Sequence, residues 1–245
     1  IPIFKNSRFS KYMSLKWVGR LSFFLSVVVL SYYAVISGWV LHFMTQFVLS
    51  FFQSSQSSSL DVSMDPLMSS GIRQMLLASV HLLITLVVVL KGVQDGIERW
   101  VGAMMPVFAL LLVMLVIKSL SLPGSEEALR FLFYPNFSQL SLSSFSHAIG
   151  HVLFTLSVGF GTMVTFGSYL KDTESIAASG FRVTMVDTFL SLTAGLLVFP
   201  IALGAGNQNL GKNMTDQGLL FETLPKFLLS LPGGVFFGLA FFLCL

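Results

Sequence analysis

Apolar residues gather along the chain into six runs, at 17–50, 73–90, 100–120, 147–170, 180–203 and 232–245, with polar stretches between them. At a rise of about 1.5 Å per residue, the first five are long enough as helices to cross roughly 30 Å of hydrocarbon. The sixth starts at Pro232 and runs to Leu245, where the sequence stops. The pattern predicts an all-α polytopic membrane protein, a single transmembrane domain over residues 1–245, with no separate soluble domain. Pro106, inside the third run, is tolerable in a membrane helix whose neighbours can satisfy the carbonyl it releases.

The polar stretches set an orientation. Residues 1–16 carry Lys5, Arg8, Lys11 and Lys16 with no acidic residue, which the positive-inside rule makes cytoplasmic. The charged loops at 91–99 and 171–179 then fall on the same side. The Ser/Gln-rich stretch with Asp61, Asp65 and Pro66 falls outside, as do the loop at 121–146, with an amphipathic piece at 126–133, and the loop at 204–230, helical over 219–229. Of the 14 Lys and Arg residues, those nearest the inner side outnumber those outside.

Composition agrees with this reading. Hydrophobic residues make up 54% and charged residues 10% of the 245, and the mean hydropathy is +0.83, too apolar for a soluble domain of this size. The net charge of +3 comes from scattered basic residues, so the pI near 9.1 is no sign of nucleic-acid binding. The single cysteine, Cys244, excludes an intramolecular disulfide and a cysteine-based metal cluster. No G-x-S-x-G, H-E-x-x-H or Walker-type pattern supports an enzyme. A chain that begins at Ile1 and ends inside an apolar run is expected to be part of a longer protein or an incomplete version of it.

Candidate chemistry concentrates in the fourth run. Thr155-Leu156-Ser157-Val158-Gly159-Phe160-Gly161-Thr162 puts two glycines and three hydroxyls in mid-span, and predicts a helix broken near 157–161. Unwinding there would offer carbonyls to a cation and amides to an anionic group. A glycine-mediated helix contact explains the same residues equally well. Asp187 is the only acidic residue within a span, where a carboxylate costs at least about 2.5 kcal/mol unless it meets a cavity, an ion or a partner. The alternative is a structural pair with Arg182. Ser191 lies one turn beyond Asp187, and His151 and Thr155 are likewise four apart. His42 and His81 have no such company and read as interhelical hydrogen bonders, and no spacing resembles a zinc site. In the first run Tyr33 sits away from the interfacial belt and needs a polar partner, either a substrate carboxylate or a backbone carbonyl.

Several strings together resemble the neurotransmitter:sodium symporter family: Ser31-Tyr32-Tyr33 with Gly38-Trp39, Gly96-Ile97-Glu98-Arg99 leading to Met104-Met105-Pro106, Leu122-Pro123-Gly124, Phe154 to Gly161 with Thr165-Phe166-Gly167-Ser168-Tyr169-Leu170, and Thr223-Leu224-Pro225. The resemblance implies the inverted-repeat transporter fold of the leucine-transporter type. It makes the chain a partial one, covering about the third to the start of the eighth transmembrane helix. It implies sodium-coupled symport of an amino acid or related small solute by alternating access, with sodium and the lipid bilayer as partners; a homo-oligomer is compatible with it. By position, Val29, Tyr33, Phe154, Thr155, Ser157 and Phe160 would bind substrate, and Thr155 and Asp187 sodium. His151 and Ser191 would mark an anion-site region, and Tyr169 the intracellular gate. The family commonly has Asn at the position of Asp187 and Gln at that of His151. Chloride dependence stays open, because Asp187 can itself supply the negative charge that chloride-independent members place near Ser191. The missing cysteine pair after the first run points to a prokaryote, hence a multi-pass protein of a bacterial inner membrane. A same-fold transporter with another coupling ion, and a non-transporting receptor or scaffold, remain the alternatives. A channel has no support, since neither a charged ring nor a repeated filter loop is apparent.

Overall fold

A computed structural model of the chain describes residues 13–52, 64–134, 136–170, 175–204 and 218–245, without the side chains of 13–16, 65, 66, 93–95 and 139. Most of the tail at 1–16 and parts of the connections at 171–179 and 204–230 lie outside that set. Regular structure among the described residues is helical throughout. In chain order the α-helices are α1 (Met13–Phe52), α2 (Asp65–Met68), α3 (Gly71–Leu90), α4 (Arg99–Ser119), α5 (Ser125–Phe133), α6 (Leu142–Thr155), α7 (Thr162–Gly167), α8 (Ile176–Gly204), α9 (Leu224–Ser230) and α10 (Gly234–Cys244). Short π-helical turns, Val93–Glu98 and Leu219–Thr223, lead into α4 and α9. Four stretches, Trp17–Phe52, Gly71–Leu90, Gly96–Ser119 and Ile176–Gly204, are long and apolar enough to cross a membrane.

The chain divides into two compact units, one of residues 1–33 and 136–189 and one of 34–135 and 190–245. The second holds the packed core. Trp39, Phe43 and Phe47 repeat at four-residue spacing on one face of α1. Phe43 stacks on Phe221 at 5.5 Å and on Phe242 at 5.6 Å, and Phe47 stacks on Phe242 at 5.6 Å. Against hydrocarbon such rings gain little from leaving lipid, so close fit and dispersion hold them. Small residues supply the fit. A Cβ at Gly38 would stand 2.8 Å from the backbone nitrogen of Ala78, so only glycine lets α1 and α3 cross this closely, and a Cβ at Gly238 would overlap the Phe47 ring.

Two polar side chains tie helices of this unit together. Trp39 Nε1 donates to Gln74 Oε1 at 3.1 Å, and Gln74 Nε2 donates to the Leu67 carbonyl at 3.1 Å, which ties α1 to the start of α3 and the end of α2. On α5, Glu126 and Glu127 sit in the first turn and Arg130 in the last, complementing the helix dipole. Its Arg130–Glu126 pair, at 3.0 Å, is exposed on both sides and adds little.

Pro200 interrupts α8. Having no N–H, it leaves the carbonyl four residues earlier, that of Leu196, without its helical donor. The hydroxyl of Ser119, fully buried at the end of α4, donates to that carbonyl at 3.0 Å. One side chain on a neighbouring helix thus replaces the bond that the proline removes. Ser119→Ala should destabilise the full-length protein by about 1–3 kcal/mol, the cost of an unsatisfied buried acceptor. In a double-mutant cycle read by thermal unfolding in detergent, Pro200→Ala, which restores the N–H, should largely abolish the Ser119→Ala effect; additive losses would show that the two are not coupled.

Candidate functional site

The first unit is built around the helix break. α6 starts at a reciprocal cap, in which Ser144 N donates to Ser141 Oγ at 3.2 Å and Ser141 N donates to Ser144 Oγ at 3.4 Å. It runs to Thr155, and α7 begins at Thr162. Between them the backbone leaves the right-handed helical region three times, at Ser157 (φ 52°), Gly159 (φ 95°) and Gly161 (φ 78°). The glycines take this conformation freely. Ser157 does not, and bears roughly 1–2 kcal/mol of strain. Val158 N reaches back five residues to the Leu153 carbonyl at 2.8 Å. Among the described residues, the carbonyls of Leu156, Ser157, Val158 and Gly159 accept no hydrogen bond.

Against the break lies α1. Ser26, Val29, Leu30 and Tyr33 share one face of it, at the spacing i, i+3, i+4 and i+7. With Phe154, Ser157, Phe160 and Thr162 they line a cavity of about 300 Å³, at the lower end of the size of small-molecule sites. The wall is aromatic: Tyr33 stacks on Phe154 with centroids 6.1 Å apart, and Phe160 meets Phe154 edge-on at 5.9 Å. Two serines bring the break onto α1. Ser26 Oγ donates to the Phe160 carbonyl at 2.7 Å, and the open side of Gly161 faces the Ser22 Cβ, which a Cβ at Gly161 would approach to 3.1 Å.

Five residues named from the sequence, Val29, Tyr33, Phe154, Ser157 and Phe160, meet in this cavity. Thr155 is not in the lining, and its hydroxyl turns back on its own helix to the Val152 carbonyl at 3.3 Å. His151 is exposed on α6, and Tyr169 is exposed just beyond α7. Asp187 is half-buried on α8, with Ser191 one turn further along. The structural pair between Asp187 and Arg182 is absent: among the described residues the ion pair present is Arg130–Glu126. Five residues at about 100° each put those two side chains some 140° apart around the helix, so they leave on different faces. The described His, Cys, Asp and Glu residues form no group of three that could hold a metal ion. Among the described residues, the carbonyls of the break at 156–159 are oxygens that no hydrogen-bond donor reaches. Sequence reasoning missed Leu30 and Ser26, which follow from stepping back one and two turns, respectively, from Tyr33 once the cavity face is known.

The glycines of the break separate strain from space. Gly150→Ala, inside α6 with open space around it, should be neutral or stabilising by about 0.5–1 kcal/mol. Gly159→Ala should cost about 1–2 kcal/mol from the positive φ alone, and Gly161→Ala more, because Ser22 is also in the way. Thermal unfolding of the full-length protein in detergent ranks the three; equal effects would mean that the break does not hold this geometry.

The profile of the Sodium:neurotransmitter symporter family matches residues 57–245. The chain is 35% identical over 230 residues to the uncharacterized sodium-dependent transporter YhdH of Bacillus subtilis, covering 92% of this chain and 48% of that protein. It is 28% identical over 162 residues to the sodium-dependent serotonin transporter of Drosophila melanogaster, covering 63% of this chain and 26% of that protein. Among solved structures it is similar to MhsT in complex with L-phenylalanine, with a TM-score of 0.82 and 29% identity over 94% of this chain and 51% of that one. The fold is therefore all-α and of the inverted-repeat, leucine-transporter type, in a multi-pass membrane protein. The chain spans about half the length of YhdH and of MhsT. The family and these relatives are transporters, not enzymes.

Proposed function

The chain belongs to the sodium:neurotransmitter symporter family, and on that footing we propose that the whole protein couples the entry of sodium to that of an amino acid with an apolar side chain, by alternating access. The observation that carries this reading is the cavity itself, an aromatic and aliphatic wall set directly beside a helix break whose carbonyls at 156–159 have no partner among the described residues. An apolar wall suits an apolar side chain, and the break suits the charged end of the same molecule together with a cation. The binding of L-phenylalanine by MhsT, a similar structure, supports this substrate class.

In this reading the Tyr33 hydroxyl donates to the substrate carboxylate, while Val29, Phe154 and Phe160 hold the side chain and Ser157 lines the turn. Sodium, as co-substrate, takes oxygens from Thr155 and Asp187. The Thr155 hydroxyl donates its hydrogen to the Val152 carbonyl at 3.3 Å, which leaves the lone pairs of its oxygen for the cation. His151 and Ser191 belong to an anion-site region, with Asp187 as a fixed negative charge in place of chloride, and Tyr169 belongs to the intracellular gate. Coupling arises because sodium favours the state competent to bind the solute, and each ligand can shift the equilibrium only by its differential affinity for the two states. The protein is placed in a bacterial inner membrane with residues 1–16 cytoplasmic.

The test is amino-acid binding to the full-length protein in detergent, in sodium and then in potassium at equal ionic strength. Binding should require sodium, should weaken with Asp187→Ala or Thr155→Ala, and should fall about tenfold or more with Tyr33→Phe, the loss expected for a hydrogen bond to a charged group. Equal binding in both salts would remove sodium coupling and leave a transporter of the same fold driven by another ion.

A further inference from the structure

Among the described residues, the Phe160 backbone is held from outside its own segment by one side-chain hydrogen bond. It sits in the break between Gly159 and Gly161, both at positive φ, so the backbone on either side has the freedom that only glycine allows. Its carbonyl receives the Ser26 hydroxyl at 2.7 Å, the side-chain hydrogen bond that reaches residues 156–161 from outside the α6–α7 segment among the described residues. A serine hydroxyl has a single hydrogen. Within its own helix that hydrogen has a second acceptor, the Ser22 carbonyl at 3.0 Å, the ordinary back-bond of a serine in a helix. The shorter contact runs across to Phe160.

The bond has a geometric consequence. Holding the Phe160 carbonyl restrains the 160–161 peptide plane and with it the direction of the Phe160 Cα–Cβ bond, from which the ring leaves. The ring stands edge-on to Phe154, and Phe154 is stacked on Tyr33, so the three aromatic sides of the cavity form a series whose free end is anchored at Ser26. We propose that Ser26 is a positioning residue that sets substrate specificity: through the Phe160 carbonyl it fixes the width of the aromatic cavity and so determines which apolar side chains fit. The inference rests on the transport reading for the identity of the solute, but the hold of Ser26 on the break does not depend on it.

The experiment compares Ser26→Ala, which deletes the hydroxyl, with Ser26→Thr, which keeps it, in the full-length protein in detergent. In hydrogen–deuterium exchange without solute, the peptide covering 156–162 should exchange about fivefold faster in Ser26→Ala, the population change expected on losing one hydrogen bond of ordinary net strength. It should be unchanged in Ser26→Thr, and the peptide covering 34–52 should be unchanged in both. In sodium, the ratio of phenylalanine to alanine affinity should fall about fivefold in Ser26→Ala and recover in Ser26→Thr. Unchanged exchange in Ser26→Ala overturns the proposal whatever the solute data show. Faster exchange with all affinities lowered equally also overturns it, since Ser26 would then serve the fold and not selectivity. If the unaltered protein binds no amino acid, the transport reading falls, and the exchange measurement still decides whether Ser26 holds the break.

Discussion

Hydrocarbon offers no water to a backbone carbonyl, so every carbonyl that a helix releases inside the membrane needs another donor or a function. Two such releases can be followed among the described residues. In α8, Pro200 frees the Leu196 carbonyl, and Ser119 on α4 takes it up. Between α6 and α7 a whole turn is unwound; Ser26 takes up the Phe160 carbonyl, and those of 156–159 stay open. The first case is repair, since the carbonyl that the proline releases has a donor on a neighbouring helix. The second is incomplete, and the carbonyls left without donors are beside the cavity.

That contrast accounts for the different character of the two units. The unit containing Trp39, Phe43 and Phe47 is closed by stacked rings and by glycines at helix crossings, and Trp39 and Gln74 tie its helices through each other and the backbone. The unit containing the break has no buried residue among those described. Its side chains meet across a cavity and not in a core, and its backbone carries the strain at Ser157. Strain concentrated at a potential ligand site is what pre-organisation for binding looks like.

Much of this was legible in the sequence, for identifiable reasons. Glycine pairs and hydroxyls in an apolar run announce a break because few other residues tolerate one, and the φ reversals of this segment lie at Ser157, Gly159 and Gly161. Val29 and Tyr33 follow from the resemblance by position, whereas Ser26 and Leu30, on the same helix face, show themselves only once the cavity is known, since a serine in an apolar helix is ordinarily back-bonded. The alternative of an Asp187–Arg182 pair runs against the 3.6-residue period, which sets the two side chains some 140° apart. Ser119 and Leu196 are a different matter. They lie 77 residues apart, and although Pro200 shows that a carbonyl must be orphaned, nothing local says which helix supplies the hydroxyl. The π-helical turns before α4 and α9 were equally hidden, since six or five residues carry too little periodicity to tell them from a loop or an α-turn.

The close crossings constrain how this sequence can drift. Gly38 lies against the backbone at Ala78, Gly238 against the Phe47 ring, and Gly204 against the Pro123 carbonyl. At Gly238 the obstacle is a side chain, so enlargement there becomes tolerable once position 47 has shrunk, and the two sites can change as a compensating pair. At Gly38 and Gly204 the obstacle is main chain, which no substitution removes. Those two positions have no compensating partner to drift with, and only a shift of whole helices would release them.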